Sequence, residues 1–298
     1  MTKTYATPQA FRHALETRLR NLGGSIERRR QLLVFDRLLA RIDHVFGDAA
    51  TLKGGLVLEI RLATARTTKD VDLRLMGDAT DTLDKLRTAG ALDVGDHFIF
   101  DIDDDAKHPT IRNPGVRYEG RRFVARASVA GKLYGQPFGV DVAFGDPISG
   151  VPEVVIGDNV LDFAGVAPAT IRLYPIETHL AEKLHAFTLP RERENTRVKD
   201  LPDIALLATI RSLDAVRLRA AIEQTFAFRN THAVPESLPR PPTSWEKPYA
   251  RLASMNALQW VNLDQAFAAA ASFIDLVLRK EEGVWSPATW SWRPGGAL

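Results

Sequence analysis

Two aspartates separated by one residue are the part of this 298-residue sequence that most directly suggests chemistry. Asp70 and Asp72 alternate with the apolar Val71 and Leu73 in the two-residue period of a β-strand, so both carboxylates leave the same face. Two oxygen ligands on one face suit Mg²⁺ or Mn²⁺, which complete their coordination with water and substrate phosphates. Considered alone, the pattern also fits an edge strand that turns polar side chains to water.

A glycine pair, Gly54 and Gly55, stands shortly before the aspartates, at the predicted start of a helix. Free backbone amides and the helix dipole favour a phosphate at such a position. The pair could therefore hold a triphosphate beside a metal bound by the aspartates. A plain tight turn is the alternative when the glycines are considered alone.

A third carboxylate, Asp141, lies in the segment FGVDVAFGD, where Val140 and Val142 take the opposite face of a predicted strand. If this strand neighbours the one that carries Asp72, Asp141 becomes a third metal ligand or the base that takes the proton of an acceptor hydroxyl. An exposed strand face is the alternative.

Two further candidates lie in the second half of the chain. Lys183 stands beside the apolar stripe of a predicted helix over residues 177–189, where a long cation could reach a triphosphate, although most helix lysines are only solvated. The run RVKDLPD, residues 197–203, packs two cations and two carboxylates into one turn before an apolar helix. Asp200 in this run also fits a helix cap or a surface ion pair.

Regular elements must position these residues, and hydrophobic periodicity predicts them. Helices are predicted at 8–22, 25–46, 56–62, 81–92 and 177–189, strands at 50–53, 68–76 and in three segments between 97 and 146, and a mostly helical remainder to about residue 280. This order predicts an α/β half over residues 1–175 and a mainly helical half over residues 176–298. Residues 235–248 are predicted to form a loop, and the tryptophan-rich tail after residue 283 shows little regular pattern.

Composition narrows the possible partners. The 39 basic and 37 acidic residues nearly balance, so no bulk positive field indicates nucleic acid, although Arg121, Arg122 and Arg126 could form a local RNA patch or a solvated strand face. The absence of cysteine excludes disulfides, thiolate zinc sites and cysteine nucleophiles. With no apolar run suited to secretion or to spanning a bilayer, we expect a cytoplasmic protein without a membrane partner.

Five motifs occur in a fixed order along about half of the chain: KGGLVLEIRL, RTTKDVD, GVDVAFGD, ETHLAEKLHAF and RVKDLPD. Together they resemble the ordered motifs of the AbiEii/MenT family, nucleotidyltransferase-like toxins of abortive-infection and toxin–antitoxin systems. Five motifs in the right order are far more specific than any one of them, so the resemblance favours the functional interpretation of each.

The resemblance implies an α/β (α+β) fold, with a polymerase-β-like nucleotidyltransferase core and a helical C-terminal domain. It also assigns roles to individual residues. The expected catalytic residues are Asp70, Lys183 and Asp200, the expected nucleotide-binding residues are Gly54, Gly55, Thr68, Lys69, Arg197 and Lys199, and the expected metal ligands are Asp70, Asp72 and Asp141. Asp141 occupies the third-carboxylate place of the wider superfamily, as a metal ligand or a base.

The resemblance further implies a Mg²⁺-dependent (or Mn²⁺-dependent) transfer of NMP from an NTP to the 3′ end of tRNA, which would block aminoacylation and translation and arrest growth. A cognate antitoxin is the expected protein partner. Two alternatives stay open at this point: transfer of NMP to a protein hydroxyl, and a non-catalytic regulator that binds NTP in the same pocket.

Overall fold

The computed structural model describes residues 5–62, 67–77, 79–111, 120–192 and 195–295. Within these ranges the helices are α1 (Pro8–Asn21), α2 (Ile26–Phe46), α3 (Gly54–Arg61), α4 (Thr82–Ala91), α5 (Ile176–Thr188), α6 (Asp200–Leu207), α7 (Ala215–Arg229), α8 (Glu246–Met255) and α9 (Leu263–Leu278). The strands are β1 (Ala50–Lys53), β2 (Val71–Leu75), β3 (Phe98–Asp104), β4 (Thr110–Ile111), β5 (Gly120–Val129), β6 (Lys132–Leu133), β7 (Phe138–Phe144), β8 (Glu153–Ile156), β9 (Thr170–Leu173), β10 (Leu213–Asp214), β11 (Val284–Ser286) and β12 (Ser291–Arg293).

Local capping explains where the first two helices begin. The Thr7 side chain accepts a hydrogen bond from the backbone N–H of Ala10, and Pro8 fills the first helical position of α1. The Ser25 side chain caps α2 in the same way, by accepting from the N–H of Arg28. Both predicted helices are confirmed to within a few residues.

A mixed sheet forms the N-terminal part, with nine strands among the described residues. Its main path runs β3-β5-β7-β2-β1-β9-β8, while β4 and β6 pair with β5. The two central strands, β2 and β7, run parallel to each other, and each has an antiparallel neighbour on its outer side, β1 and β5 respectively. The strand of Asp141 is therefore the direct neighbour of the strand of Asp72, as the third-carboxylate hypothesis requires.

The two faces of this sheet differ in character. On β2, Val71, Leu73 and Leu75 are buried in the hydrophobic cluster to which α1, α2 and α4 contribute. The intervening Asp72 and Arg74 point to the other face and are only partly exposed. Strict alternation on a central strand thus separates a packed face from the face that carries the carboxylates.

Helices α5 to α9 pack around a second hydrophobic cluster. This cluster begins at Ile176 in the chain but also takes in Leu58 from α3, which belongs to the N-terminal part. The two parts therefore share packing through α3, and a division into domains at residue 175 stays a prediction. The predicted mixed α/β class is confirmed.

The tryptophan-rich tail has more regular structure than its pattern suggests. Strands β11 and β12 form a hairpin that pairs with β10, and Trp285 is fully buried with its Nε1–H donating to the carbonyl of Ala208 at 2.8 Å. Strands of three residues contain too few repeats to show a period, so the sequence pattern could not predict this hairpin. The predicted loop over 235–248 also ends early, because α8 begins at Glu246 and accommodates Pro248 in its first turn.

No helix in the described ranges combines the length and the apolar content that a bilayer crossing requires.

Candidate active site

One row of charged residues crosses the middle of the sheet. The strand registers pair Lys53 of β1 with Asp72 of β2, Asp72 with Asp141 of β7, and Asp141 with Arg122 of β5. Residues paired across neighbouring strands lie on the same face, with strands about 4.8 Å apart. The row thus places two acids side by side at its centre and one cation at each end.

Asp70 lies one residue before β2 and is exposed. Its Oδ1 accepts a hydrogen bond from the backbone N–H of Gly139 on β7 at 3.2 Å. A Cβ on Gly139 would come within 2.8 Å of the same oxygen, so only glycine allows the backbone of β7 to approach Asp70 this closely. Sequence reasoning missed Gly139, although it stands two residues before Asp141.

Gly54 supports the second aspartate in a similar way. It is the first residue of α3, has a φ of +71°, and would place a Cβ only 1.9 Å from Oδ2 of Asp72. Glycine is required here both by the left-handed backbone and by the close contact. The predicted glycine turn is therefore a surface against which the Asp72 carboxylate rests, and Gly55 follows it as a buried residue of α3.

The electrostatic surroundings of Asp72 favour a bound cation. Burial and the neighbouring charge of Asp141 raise its pKa, Lys53 and Lys183 lower it, and Asp70 raises it further, so that the net shift is upward. Lys53 and Lys183 therefore do not fully offset the burial of this carboxyl group and the charges of the two neighbouring acids. A divalent cation would stabilise its ionised form.

The described residues offer two candidate ligands for such a cation. No group of three or more acidic or histidine side chains within the described ranges has the arrangement of a metal site. Asp141 points its oxygens at Arg122 instead, with Nε to Oδ1 at 2.6 Å and Nη2 to Oδ2 at 2.6 Å. Asp70 and Asp72 fit Mg²⁺, which binds through one or two carboxylates together with water and substrate phosphates. Asp141 as a third ligand stays a prediction.

Lys183 on α5 is buried in an ion cluster. Its Nζ lies 3.1 Å from Oδ1 of Asp200 and 2.7 Å from Oδ2 of Asp203, and both acids are fully buried. Arg197 also pairs with Asp200. Burial alone would raise the pKa of Asp200, but the charges of Lys183 and Arg197 outweigh it and hold that pKa below its usual range.

This arrangement overturns two alternatives from the sequence. Lys183 is not a solvated helix lysine, because its side chain is 9% exposed and lies between two carboxylates. Asp200 does not cap α6 from outside, because it is the first residue of that helix and its carboxylate points to the cluster. Lys183 and the RVKD motif, two separate candidates in the sequence, meet in a buried salt bridge.

A second ion cluster joins the sheet to the C-terminal helices. Lys53 Nζ lies 2.6 Å from Asp146 and 2.9 Å from Glu182 on α5, and Arg229 on α7 lies 3.1 Å from the same Glu182. Burial raises the pKa of Asp146, whereas Lys53 and Arg229 outweigh burial and lower the pKa of Glu182. Adjacent residues of α5, Glu182 and Lys183, thus anchor two different clusters near Asp72.

Residues 37–277 match the family model described as "Nucleotidyl transferase AbiEii toxin, Type IV TA system". The chain belongs to the AbiEii toxin family. The matched range contains the row of charged residues, both ion clusters and every residue assigned a role by the sequence motifs. The predicted family is therefore confirmed, and with it the general activity of the family, nucleotidyl transfer by a toxin of a toxin–antitoxin system.

Two solved structures are similar to this chain. MenT4, a nucleotidyltransferase toxin from Mycobacterium tuberculosis, is 15% identical with a TM-score of 0.57, and the match covers 94% of this chain and 92% of that one. JHP933 from Helicobacter pylori is 15% identical with a TM-score of 0.47, over 87% and 94% of the two chains. The likeness to MenT4 confirms the predicted fold. No curated protein matches the sequence significantly.

The remaining predicted nucleotide-binding residues of this AbiEii-family chain lie at the margins of the site. Thr68 is buried, and its backbone is held by Glu59, which accepts from its N–H at 2.9 Å, and by Arg28, which donates to its carbonyl at 2.9 Å. Lys69, beside Asp70, and Lys199, before α6, are both exposed. Their contact with nucleotide stays a prediction.

The predicted arginine patch does not exist as one surface. Arg121 and Arg122 are adjacent on β5, so their side chains leave opposite faces of the sheet. Arg121 pairs with Asp104 at 2.8 Å, whereas Arg122 pairs with Asp141. Proximity in sequence was misleading here, because neighbours on a strand point away from each other.

Proposed function

We propose that this protein transfers a nucleoside monophosphate from an NTP to the 3′ end of tRNA, so that the tRNA can no longer be aminoacylated and translation stops. The observation that carries the proposal is the pair Asp70 and Asp72, each resting against a glycine backbone, with the pKa of Asp72 raised by burial and by Asp141 despite the charges of Lys53 and Lys183. A tRNA substrate would place the activity in the cytoplasm. Membership of a type IV toxin family supports a cognate antitoxin as the partner that restrains it.

In this proposal Asp70 and Asp72 would hold the metal, next to the triphosphate-binding amides of α3. When bound, Mg²⁺ supplies positive charge to the phosphates and lowers the pKa of the attacking 3′ hydroxyl. The 3′ oxygen forms a bond to the α-phosphorus, the bond to the β-phosphate oxygen breaks, and pyrophosphate leaves. The hydroxyl proton passes to solvent or to a carboxylate of the site, for which Asp141 is one candidate.

Cations around Asp70 and Asp72 would stabilise the negative charge of the triphosphate. We assign Lys183 to this role: its charge, after that of Lys53, lowers the pKa of Asp72, and Asp200 and Asp203 fix its position. We assign nucleotide contacts to the amides at the start of α3, after Lys53, and to the exposed Lys69 and Lys199, with Thr68 and Arg197 as supporting residues.

The test is an incubation of the purified protein with each α-labelled NTP and Mg²⁺, with total RNA and total protein as separate acceptors, followed by sequencing of tRNA 3′ ends. Label in tRNA with added 3′ nucleotides supports the proposal. Label only in protein establishes transfer to a hydroxyl of protein instead. Binding of NTP without release of pyrophosphate in any mixture establishes a non-catalytic regulator and overturns the proposal.

A further inference from the structure

The cations at the two ends of the charged row differ in their exposure and in the number of carboxylates that pair with them. At one end Lys53 is 12% exposed and lies between the carboxylates of Asp146 and Glu182. At the other end Arg122 is 39% exposed and pairs with the single carboxylate of Asp141. A cation that is half exposed and bound to one acid is the better placed of the two to meet an incoming anion.

Arg122 is also held firmly in place. Its backbone N–H donates to the carbonyl of Pro109 at 3.0 Å, and its own carbonyl accepts from the N–H of Asp105 at 3.0 Å. The bidentate pair with Asp141 uses two of the five N–H groups of the guanidinium, so three lie outside that pair. A planar guanidinium fixed on one edge presents its remaining donors in a defined direction, as phosphate recognition requires.

We propose that Arg122 binds a phosphate group of the substrate beside the Asp70–Asp72 pair, and that Asp141 is the positioning residue that holds Arg122 there. The inference rests on the proposed function, because it supposes a phosphate-bearing substrate at that pair. The phosphate belongs either to the NTP or to the backbone of the acceptor nucleic acid, and the experiment below separates the two sources.

Two observations support this role. Asp141 lies one strand from Asp72 and one strand from Arg122, which puts the backbone of Arg122 about two strand spacings, or about 10 Å, from the backbone of Asp72, with the guanidinium hydrogen-bonded to Asp141 between them. The pKa of Arg122 is raised by its hydrogen bonds and charge pairing with Asp141, against burial, and further by the charge of Asp70. Of the two aspartates of the pair, Asp70 is therefore the one that acts on the charge of Arg122.

Arg126 provides a matched control on the same strand. It is four residues from Arg122, points to the same face, and is 47% exposed. Its neighbours are the exposed acids Asp101 and Asp103, at 3.8 Å and 3.9 Å, which would repel a phosphate. Arg126 therefore has the same residue type and exposure without the position beside the metal pair.

The experiment measures binding of two probes to Arg122→Gln, Arg122→Lys and Arg126→Gln. One probe is a non-hydrolysable NTP analogue with Mn²⁺, titrated calorimetrically, and the other is tRNA, followed by fluorescence anisotropy over a salt series. We expect Arg122→Gln to weaken one of the two by about tenfold or more, Arg122→Lys to recover only part of it, and Arg126→Gln to stay within about twofold of wild type. If the acceptor supplies the phosphate, the salt dependence of tRNA binding also falls by about one counterion.

Asp141→Asn then separates positioning from metal binding. As a positioning residue, Asp141 acts only through Arg122, so the double variant Arg122→Gln/Asp141→Asn binds no more weakly than Arg122→Gln, and Mn²⁺ affinity is unchanged in Asp141→Asn. Loss of Mn²⁺ affinity in Asp141→Asn overturns the positioning role. Wild-type binding of both probes by Arg122→Gln, or an equal loss in Arg126→Gln, overturns the phosphate site. These binding results stand even if the wild-type protein transfers no nucleotide, which would defeat only the proposed function.

Discussion

Burial acts on both Asp72 and Asp200, yet their pKa values shift in opposite directions. Burial and Asp141 raise the pKa of Asp72 above its ordinary value. Burial acts in the same direction on Asp200, but Lys183 and Arg197 outweigh it and lower that pKa. The two aspartates therefore differ in whether the protein supplies their counter-charge.

This difference indicates that aspartate has two roles in the molecule, one structural and one in binding a metal. The cluster of Lys183, Asp200 and Asp203 is neutralised within the fold, so it contributes to structure and fixes a cation near the site. The pair Asp70 and Asp72 is completed, in our proposal, by a metal from solution. Substitutions at Asp70 or Asp72 should accordingly impair activity without unfolding the protein, whereas substitutions in the cluster of Lys183, Asp200 and Asp203 should impair both activity and stability.

The largest effect is expected from Asp70→Asn. Loss of a metal ligand should reduce nucleotide transfer by about 1,000-fold, or about 4 kcal/mol in activation free energy, while the melting temperature barely changes because Asp70 is exposed. Transfer of labelled NMP to tRNA and thermal unfolding measure the two quantities. Asp264→Asn, at a side chain that is 91% exposed, is the control that should leave both unchanged. Full transfer by Asp70→Asn would exclude Asp70 as a metal ligand.

Lys183→Met tests the internally neutralised cluster. Removing the cation leaves Asp200 and Asp203 buried beside each other without Lys183, which should lower the free energy of unfolding by about 3 kcal/mol or more. Urea unfolding measures this, with the exposed Lys247→Met as the control. A stable but inactive Lys183→Met would show that the lysine serves the substrate alone and that the two regions do not differ as described.

Gly54→Ala tests the backbone support of Asp72. The new Cβ would lie 1.9 Å from Asp72 Oδ2 at a φ of +71°, so we expect both strain and displacement of the carboxylate, with a cost of about 2 kcal/mol and reduced transfer. Gly23→Ala is a matched control, because Gly23 has a φ of +72° and a Cβ there would meet no described atom within 4 Å. It should show the strain alone, about 1 kcal/mol, with normal transfer. Equal effects on transfer would refute the contact with Asp72.

The smallest effect is a pH dependence of stability carried by His179. Neither ring nitrogen has a hydrogen-bond partner among the described residues, and burial lowers the pKa of His179 to about 3. The unfolded chain takes up a proton near pH 6.5 and the folded chain does not, so the free energy of unfolding falls as the pH drops from about 6.5 towards 3. In urea unfolding between about pH 7 and pH 5, His179→Leu should flatten the slope by about 1 kcal/mol per pH unit. An unchanged slope would mean that His179 takes up its proton at the same pH in the folded protein as in the unfolded chain.

Much of the fold could be predicted from the sequence because most elements repeat their pattern several times. The alternation around Asp72 and the long helical repeat of residues 25–46 are examples, and both elements occur where predicted. The order of the strands in the sheet could not be predicted in this way, because β7 lies between β2 and β5 through pairings that no local sequence pattern encodes. The short hairpin at Trp285 could not be predicted either, because its strands are too short to show a repeating pattern.

The candidate site, too, could be predicted only in part. The acids, glycines and lysine of the motifs were identifiable by type and spacing, whereas their partners were not. Lys53 and Glu182 are 129 residues apart in the chain and meet at 2.9 Å, and Arg122 opposes Asp141 only because β5 and β7 are neighbours. A motif predicts which residues matter, while the fold decides which charge each one meets.

The central claim is that Asp70 and Asp72, unlike the cluster of Lys183, Asp200 and Asp203, are completed by a metal from solution. Its most direct test is a series of thermal unfolding measurements at increasing Mn²⁺ concentration, with wild type and the double variant Asp70→Asn/Asp72→Asn. We predict that the melting temperature of wild type rises with Mn²⁺ concentration, because the metal binds only the folded protein. The double variant should be at least as stable as wild type without metal and should not respond to Mn²⁺. A double variant that is less stable without metal and responds to Mn²⁺ like wild type would contradict the proposal that Asp70 and Asp72 await a cation from solution.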